Sequence, residues 1–202
     1  VFEHRAQYEE RLAEYEGRDE LIAQARTRLD EAEAALQKAA DELKRARAGV
    51  IPEFLAQVQA QMARLEMGSA KLEAPLVDLE RDQWDTWGPH TCEFLYAAGE
   101  GMKPQRLQKI ASGGEMSRIM LALKVVLGSN DAVDTLVFDE IDAGVGGSTA
   151  RSLAEVLLDL SKTHQVIVVT HLPQVAVCGD AHYVVTKQGN DHPETNLSKL
   201  LG

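Results

Sequence analysis

The stretch Ala111-Ser112-Gly113-Gly114-Glu115-Met116-Ser117-Arg118 decides how the rest of this chain is read. A serine and two glycines lead directly into apolar residues at Met116, Met120, Leu123 and Leu127, with Ile119, Ala122 and Val126 beside them. That spacing of three and four predicts a helix, and Ser112 offers a hydroxyl just ahead of its first turn. Glycine lacks a Cβ, so backbone N–H groups there can approach a ligand closely. A helix N-terminus carries unpaired N–H groups and about half a positive charge, which suits a phosphate. Taken alone, the octapeptide fits a plain Gly-Gly turn before an amphipathic helix equally well. The residues downstream separate the two readings.

Gly128 to Asp131 is a stop and turn, and Thr135-Leu136-Val137-Phe138 is a continuous apolar run, expected of a strand covered on both faces. The run ends at Asp139-Glu140. Ser148 is expected to cap a helix with buried positions Ala150, Leu153, Val156, Leu157 and Leu160. Val166 to Val169 reads as a second covered strand, ending at Thr170-His171. Strand, helix and strand at these lengths form a βαβ unit with parallel strands. Tyr183 to Thr186 is expected to extend that sheet, and the polar tail from Gln188 has no firm pattern. The fold class is therefore α/β with a parallel βαβ core.

This topology puts Asp139, Glu140 and His171 at the carboxyl ends of parallel strands, where open α/β sheets place their ligand sites. Paired acids at the end of a buried strand call for a charge partner, and a divalent cation is the natural one. Asp139 is the candidate Mg²⁺ ligand, directly or through water. Glu140 is the candidate to orient or deprotonate a water, and His171 to contact a transferring phosphoryl group. An Asp-Glu turn with a capping histidine is the plainer alternative, and the Ser-Gly-Gly turn upstream argues against it.

Upstream, residues 1–50 are rich in Glu, Arg, Ala and Leu and contain no proline. Ile22, Ala25, Leu29, Ala32, Leu36, Ala39, Leu43, Ala46 and Val50 alternate spacings of three and four, the a/d seam of a coiled coil. Backward extrapolation meets Arg18, Tyr15, Arg11 and Tyr8, a poorer seam, and Gly17 is a candidate joint. A lone helix of this length needs a partner for its stripe, and no second heptad run is present. Pro52 is expected at the start of a further helix carrying Leu55, Val58, Met62 and Leu65. Leu72, Ala74 and Leu76 alternate as a strand, as do Cys92, Phe94 and Tyr96. Between them Asp82 to Pro89 is turn-like. Its Trp84 and Trp87 are expected to cover the edge of a small core, with a base-stacking platform as the rival reading.

The 202 residues carry a formal net charge of -11, which opposes nonspecific binding to nucleic acid or an anionic membrane. Cys92 and Cys178 lie far apart, as expected of reduced thiols in a cytosolic protein. The six histidines show no paired zinc spacing. The 202 residues contain no signal-peptide pattern of basic start and apolar middle, and no run of about 18 apolar residues. Opening at Val1 inside a helical pattern, without methionine, is expected of a piece of something longer.

Ala111 to Glu115 resembles an ABC-type signature, Leu136 to Glu140 a Walker B strand with its glutamate, Asp142 to Gly147 a D-loop, and His171 a switch histidine. Together with the helical arm, the strings ASGGEMSRIMLALK, FDEIDAGVGG and VTHLPQVA resemble the RecN family of SMC-like ATPases, strongly over residues 105–187. The resemblance implies a cytoplasmic, nucleoid-associated ATPase of DNA double-strand break repair that uses ATP and Mg²⁺. It implies residues 1–50 as the returning helix of an antiparallel coiled-coil arm and residues 51–202 as the C-terminal lobe of the head. It also implies three partners: an N-terminal half carrying a Walker A loop, a second head in an ATP-dependent homodimer, and DNA, with no membrane. Ser112, Gly113, Gly114 and Glu115 would contact ATP held by the opposite head, with Asp142 as a further nucleotide-site residue. No G-x-x-x-x-G-K-[ST] occurs in this sequence; Gly144 to Thr149 has glycines without the lysine. A chromosome-condensing relative and a transporter's nucleotide-binding subunit are the competing readings, the second disfavoured by the heptad arm.

Overall fold

A computed structural model describes residues 2–110, 112–130, 132–188 and 194–200. Ala111, Asp131 and most of the polar tail's first residues, 189–193, lie outside the described residues. The chain divides into two compact units: Val1–Val50 with Leu76–Thr91, and Ile51–Pro75 with Cys92–Gly202.

Helix α1 (Phe2–Arg64) is continuous over 63 residues. It runs through Gly17 and through Pro52, so neither the expected joint nor the expected helix start is a break. A proline inside a helix costs about 3 kcal/mol through its missing N–H bond and ring clash. Burial of Val58 and Met62 in the following turns is of a size to offset that. Two three-residue strands follow, β1 (Lys71–Glu73) and β2 (Leu76–Asp78), so the single strand expected over 72–76 is split in two at Pro75.

In the first unit the stripe residues Ile22, Leu29 and Leu36 are exposed, whereas Ala40 is buried and Leu43 half-buried. The chain's own segment 76–91 covers that patch. Strand β2 pairs with β3 (His90–Cys92). Lys44 Nζ donates to both Asp78 oxygens at 2.7 and 2.9 Å, and His90 Nε2 lies 3.2 Å from Asp78 Oδ1. Arg47 donates to the carbonyls of Trp87 at 2.6 Å and His90 at 3.2 Å. Leu43, assigned by the heptad pattern to a partner helix, instead meets the turn at Gly88.

Gly88 has φ +104°, and a Cβ there would fall 2.6 Å from Leu43 Cδ2. Gly88→Ala combines left-handed strain with overlap on the helix. It should destabilise this latch by about 1–3 kcal/mol, read as faster proteolysis in the Trp84–Gly88 turn and a lower melting temperature. Unchanged cleavage and melting would contradict the latch. Of the two tryptophans only Trp84 is covered: its Nε1 donates to the Leu79 carbonyl at 3.1 Å and Arg81 lies 4.2 Å over its ring. Trp87 is 77% exposed, because its N–H bond to Asp85 Oδ1 and its carbonyl bond to Arg47 fix the turn with the indole outside.

In the second unit β1 pairs antiparallel with β4 (Leu95–Ala97), and β4 with β5 (Gln105–Arg106). Then come α2 (Gly113–Leu127), β6 (Thr135–Phe138), α3 (Gly147–Ser161), β7 (Gln165–Val168) and the short α4 (Pro173–Ala176). The core joins Val58 and Met62 of α1, and Leu65 just after it, to Ile119 and Ala122 of α2 and to Leu153 and Val156 of α3. On α3 all five positions predicted by periodicity are buried. Its N-cap is Gly146 instead of Ser148, whose Oγ donates to Glu66 Oε1 at 3.3 Å. On α2 the buried side is Ile119, Leu121, Ala122 and Leu123, while Met120 and Leu127 are exposed. The helix is apolar around most of its circumference, so periodicity alone selected a stripe rotated from the buried one.

Strands β6 and β7 are parallel, in register from Thr135 opposite Gln165 to Phe138 opposite Val168, as the βαβ reading requires. The expectation of two covered faces fails. Phe138 is buried and Leu136, Val166 and Val168 are half-buried, but Val137, Ile167 and Val169 on the alternate positions are 64%, 47% and 57% exposed. The expected third strand does not join them. Strand β8 (Tyr183–Gln188) pairs antiparallel with β9 (Glu194–Lys199) in a hairpin of its own. Among the described residues no helix is long and apolar enough to cross a membrane.

Candidate functional site

The residues singled out by sequence meet on one loop, Asp139 to Val145, between β6 and α3. Its middle is anchored by the fully buried Ile141. Turns close at Ala143 N–H to the Glu140 carbonyl and Val145 N–H to the Asp142 carbonyl, both at 3.0 Å.

Helix α2 grips one side of this loop. Ser112 is its N-cap, and the Ser112 Oγ accepts from the Glu115 N–H at 3.3 Å. One turn on, Ser117 Oγ donates to the Asp139 carbonyl at 3.1 Å. Arg118 Nη1 donates to the carbonyls of Ala143 at 3.1 Å and Ile141 at 3.4 Å. The two glycines make this approach possible. A Cβ on Gly113 would lie 2.7 Å from Glu140 Oε2, and one on Gly114 would lie 3.1 Å from both Ala143 Cβ and its carbonyl oxygen. Read from sequence, the missing Cβ atoms are room for a ligand; in the folded chain they are room for the chain's own Glu140 and Ala143. The Glu140 carboxylate thus sits against the first residue of a helix N-terminus, a favourable place for a negative charge.

Asp139 and Glu140 are exposed at the carboxyl end of β6. Glu140 has φ +56°, a left-handed conformation that costs a non-glycine residue about 1–3 kcal/mol. Asp139 Oδ1 accepts the Glu140 N–H at 2.9 Å and helps to hold it. Asp142 faces the other way. It is 3% exposed, and its Oδ2 accepts from Thr170 Oγ1 at 2.5 Å and the His171 N–H at 3.0 Å, with His171 Nδ1 at 3.1 Å. Burial pushes its pKa up, but the Thr170 hydroxyl, the His171 N–H and the His171 ring outweigh it and hold the carboxyl below its ordinary value. The His171 side chain is 73% exposed. Thr170 Oγ1 in turn accepts the Leu172 N–H at 3.0 Å, which shapes the turn into α4.

Glu115 lines a cavity of about 200 Å³ with Arg118, Tyr96, Leu65 and Thr149. Burial, and secondarily Glu115, raise the Tyr96 phenol's pKa. The structure therefore brings Gly113, Asp139, Glu140, Asp142 and His171 around one loop, with Ser112 at its rim and Glu115 in the adjoining cavity. Sequence reasoning missed Ser117, Arg118 and Thr170. Their only signal was a polar residue immediately after the signature turn or immediately before the candidate histidine.

Among the described residues no three or more His, Cys, Asp or Glu side chains gather as a metal site. The exposed Asp139 carboxylate nonetheless suits Mg²⁺, which commonly takes one or two carboxylates together with substrate phosphates.

No protein-family model matches the chain. It is 39% identical to the DNA repair protein RecN of Mycobacterium leprae over 96% of its own length and 36% of that protein. It is 41% identical to RecN of Treponema pallidum over 77% of its length and 28% of that protein. Crystal structures of Smc head domains share the fold. One from Pyrococcus yayanosii, with a coiled coil and joint, gives a TM-score of 0.54 at 18% identity, covering 82% of this chain and 30% of that one. Another, with an extended coiled coil and bound to the C-terminal domain of ScpA from Pyrococcus furiosus, gives 0.53 at 18% identity, covering 81% and 39%. The chain spans about a third of the length of the curated relatives it matches, and over most of its own length it is homologous to RecN proteins, with the α/β fold of an SMC-type head.

Proposed function

We propose that the chain supplies the C-terminal lobe, residues 51–202, and the returning arm helix, residues 1–50, of a RecN-type ATPase acting in DNA double-strand break repair. ATP is bound between two heads, and its hydrolysis releases them. Ser112, Gly113 and Gly114 at the start of α2 receive the phosphates of ATP held by the opposite head. Asp139 holds Mg²⁺, which supplies charge neutralisation at the phosphates. Glu140 takes a proton from, or orients, the attacking water, and His171 contacts the transferring group. Glu115 sits one turn behind as part of the signature, and Asp142 acts through His171 instead of touching nucleotide. The N-terminal half, with its Walker A loop, a second copy of the head, and DNA bound by the complete protein are the partners. The complete protein works in the cytoplasm on the nucleoid.

The observation that carries this reading is the meeting of the α2 N-terminus, Asp139-Glu140 and Thr170-His171 on one loop. The uncovered face of Val137, Ile167 and Val169 supports the view that further chain completes the sheet, since parallel sheets are covered on both faces. Ser112 is exposed at the helix N-terminus, so Ser112→Arg places a bulky cation where the opposite head's γ-phosphate has to enter. In the complete protein this variant should keep the nucleotide affinity of a lone head and lose ATP-driven dimerisation. Light scattering with a slowly hydrolysed ATP analogue reads the result, and dimers retained by the variant would refute a signature acting across the interface.

A further inference from the structure

A histidine whose ring is almost three-quarters exposed has no reason of its own to hold one tautomer or one orientation. His171 has such a reason. Its Nδ1 lies 3.1 Å from Asp142 Oδ2, and the same oxygen accepts the His171 N–H at 3.0 Å and the Thr170 hydroxyl at 2.5 Å. An ionised carboxylate can only accept, so the ring nitrogen facing it carries hydrogen. Nε2 is then the atom left at the exposed edge. It has a lone pair when the ring is neutral and donates only when the ring holds both protons. The anchor is firm because Asp142 is 3% exposed and follows the fully buried Ile141. The same loop is tied to α2 by Ser117 at Asp139 and by Arg118 at Ile141 and Ala143.

Building on the proposed role of His171 in hydrolysis, we propose that Asp142 is its positioning residue. It fixes the Nδ1–H tautomer, aims Nε2 outward, and links the turn after β7 to the loop that carries Asp139 and Glu140. A displacement of that loop is thereby transmitted to the histidine through one buried carboxylate. A direct contact between Asp142 and nucleotide does not fit this geometry, since the carboxylate is turned into the protein and occupied by its own chain.

The test has two arms that fail separately. In this chain, ¹⁵N-histidine labelling with long-range proton–nitrogen correlation reads the His171 tautomer directly. The expected result is Nδ1–H for the parent sequence, and mixed tautomers for Asp142→Ala and for the near-isosteric Asp142→Leu, neither of which leaves an acceptor at that position. The second variant guards against loss of folding in the first. A Nε2–H tautomer in the parent, or an unaltered Nδ1–H tautomer in a folded Asp142 variant, would overturn the proposal whatever the ATPase does. In the complete protein, Asp142→Ala, His171→Ala and the double variant should lose hydrolysis to the same extent, on the order of 10- to 100-fold as for other partners that orient a functional histidine. Additive losses would overturn action through His171. A wild-type rate for His171→Ala would instead sink the reading of His171 in hydrolysis, and with it the catalytic consequence of the contact.

Discussion

Glu140→Gln in the complete protein is expected to lower the rate of ATP hydrolysis by about 10²- to 10⁴-fold, the usual contribution of a positioned general base. ATP binding should survive. The substitution is isosteric, so the left-handed backbone at position 140 and the packing over Gly113 are kept. Asp139, the proposed metal ligand, is untouched. A second effect works in the same direction. The Glu140 carboxylate lies beside Gly113, at the helix N-terminus proposed to receive the opposite head's phosphate. Two negative groups compete for that place, and a neutral amide removes one of them. ATP-bound head dimers should therefore accumulate, both because they form more readily and because they are not consumed. Single-turnover hydrolysis and size-exclusion chromatography with ATP measure the two consequences. Single-turnover hydrolysis near the wild-type rate would remove Glu140 from the chemistry.

How much of this was legible in the sequence depended on whether a residue's surroundings are local. Helix α3 was read with all five buried positions because one of its faces is apolar and the other is not. On helix α2 the named Ile119, Ala122 and Leu123 are buried, but Leu121 is buried too and the named Met120 and Leu127 are exposed, since Met116 to Leu127 is apolar around most of its circumference. The β6–β7 pairing was legible from two apolar runs of the right separation. Their composition reports a sheet covered on both sides, and this chain covers only one. The separate β8–β9 hairpin was not legible, because β9 has the polar sequence Glu-Thr-Asn-Leu-Ser-Lys and is recruited by pairing with β8.

At the site, sequence supplied the residue types and the strand ends but not the contacts between them. Asp142 was grouped with the nucleotide-site residues, and only the adjacency of β6 and β7 shows it turned toward Thr170 and His171. The closeness of Gly113 to the Glu140 carboxylate, 27 residues on in sequence, is likewise a contact that no local pattern reports. On the arm, Leu43 fits the heptad seam, yet the turn at Gly88 closes over it. That turn is 45 residues away in sequence, beyond what any local pattern reports.

In the proposed function, the machinery of a complete active site is divided between this chain and the part of a RecN-like protein that lies outside it. Phosphate-cradling loops with their lysine supply much of a nucleotide's binding energy, and none is encoded in these 202 residues. Asp139, Glu140 and His171 alone should therefore bind ATP weakly and turn none over. Steady-state phosphate release from the purified chain, with and without the remaining part of the protein supplied as a separate polypeptide or on the same chain, is the most direct measurement. The expected result is no release from the chain alone, release once the remainder is present, and its loss again with Glu140→Gln. Robust release from this chain alone, abolished by Glu140→Gln, would contradict it and reveal a phosphate site within these residues.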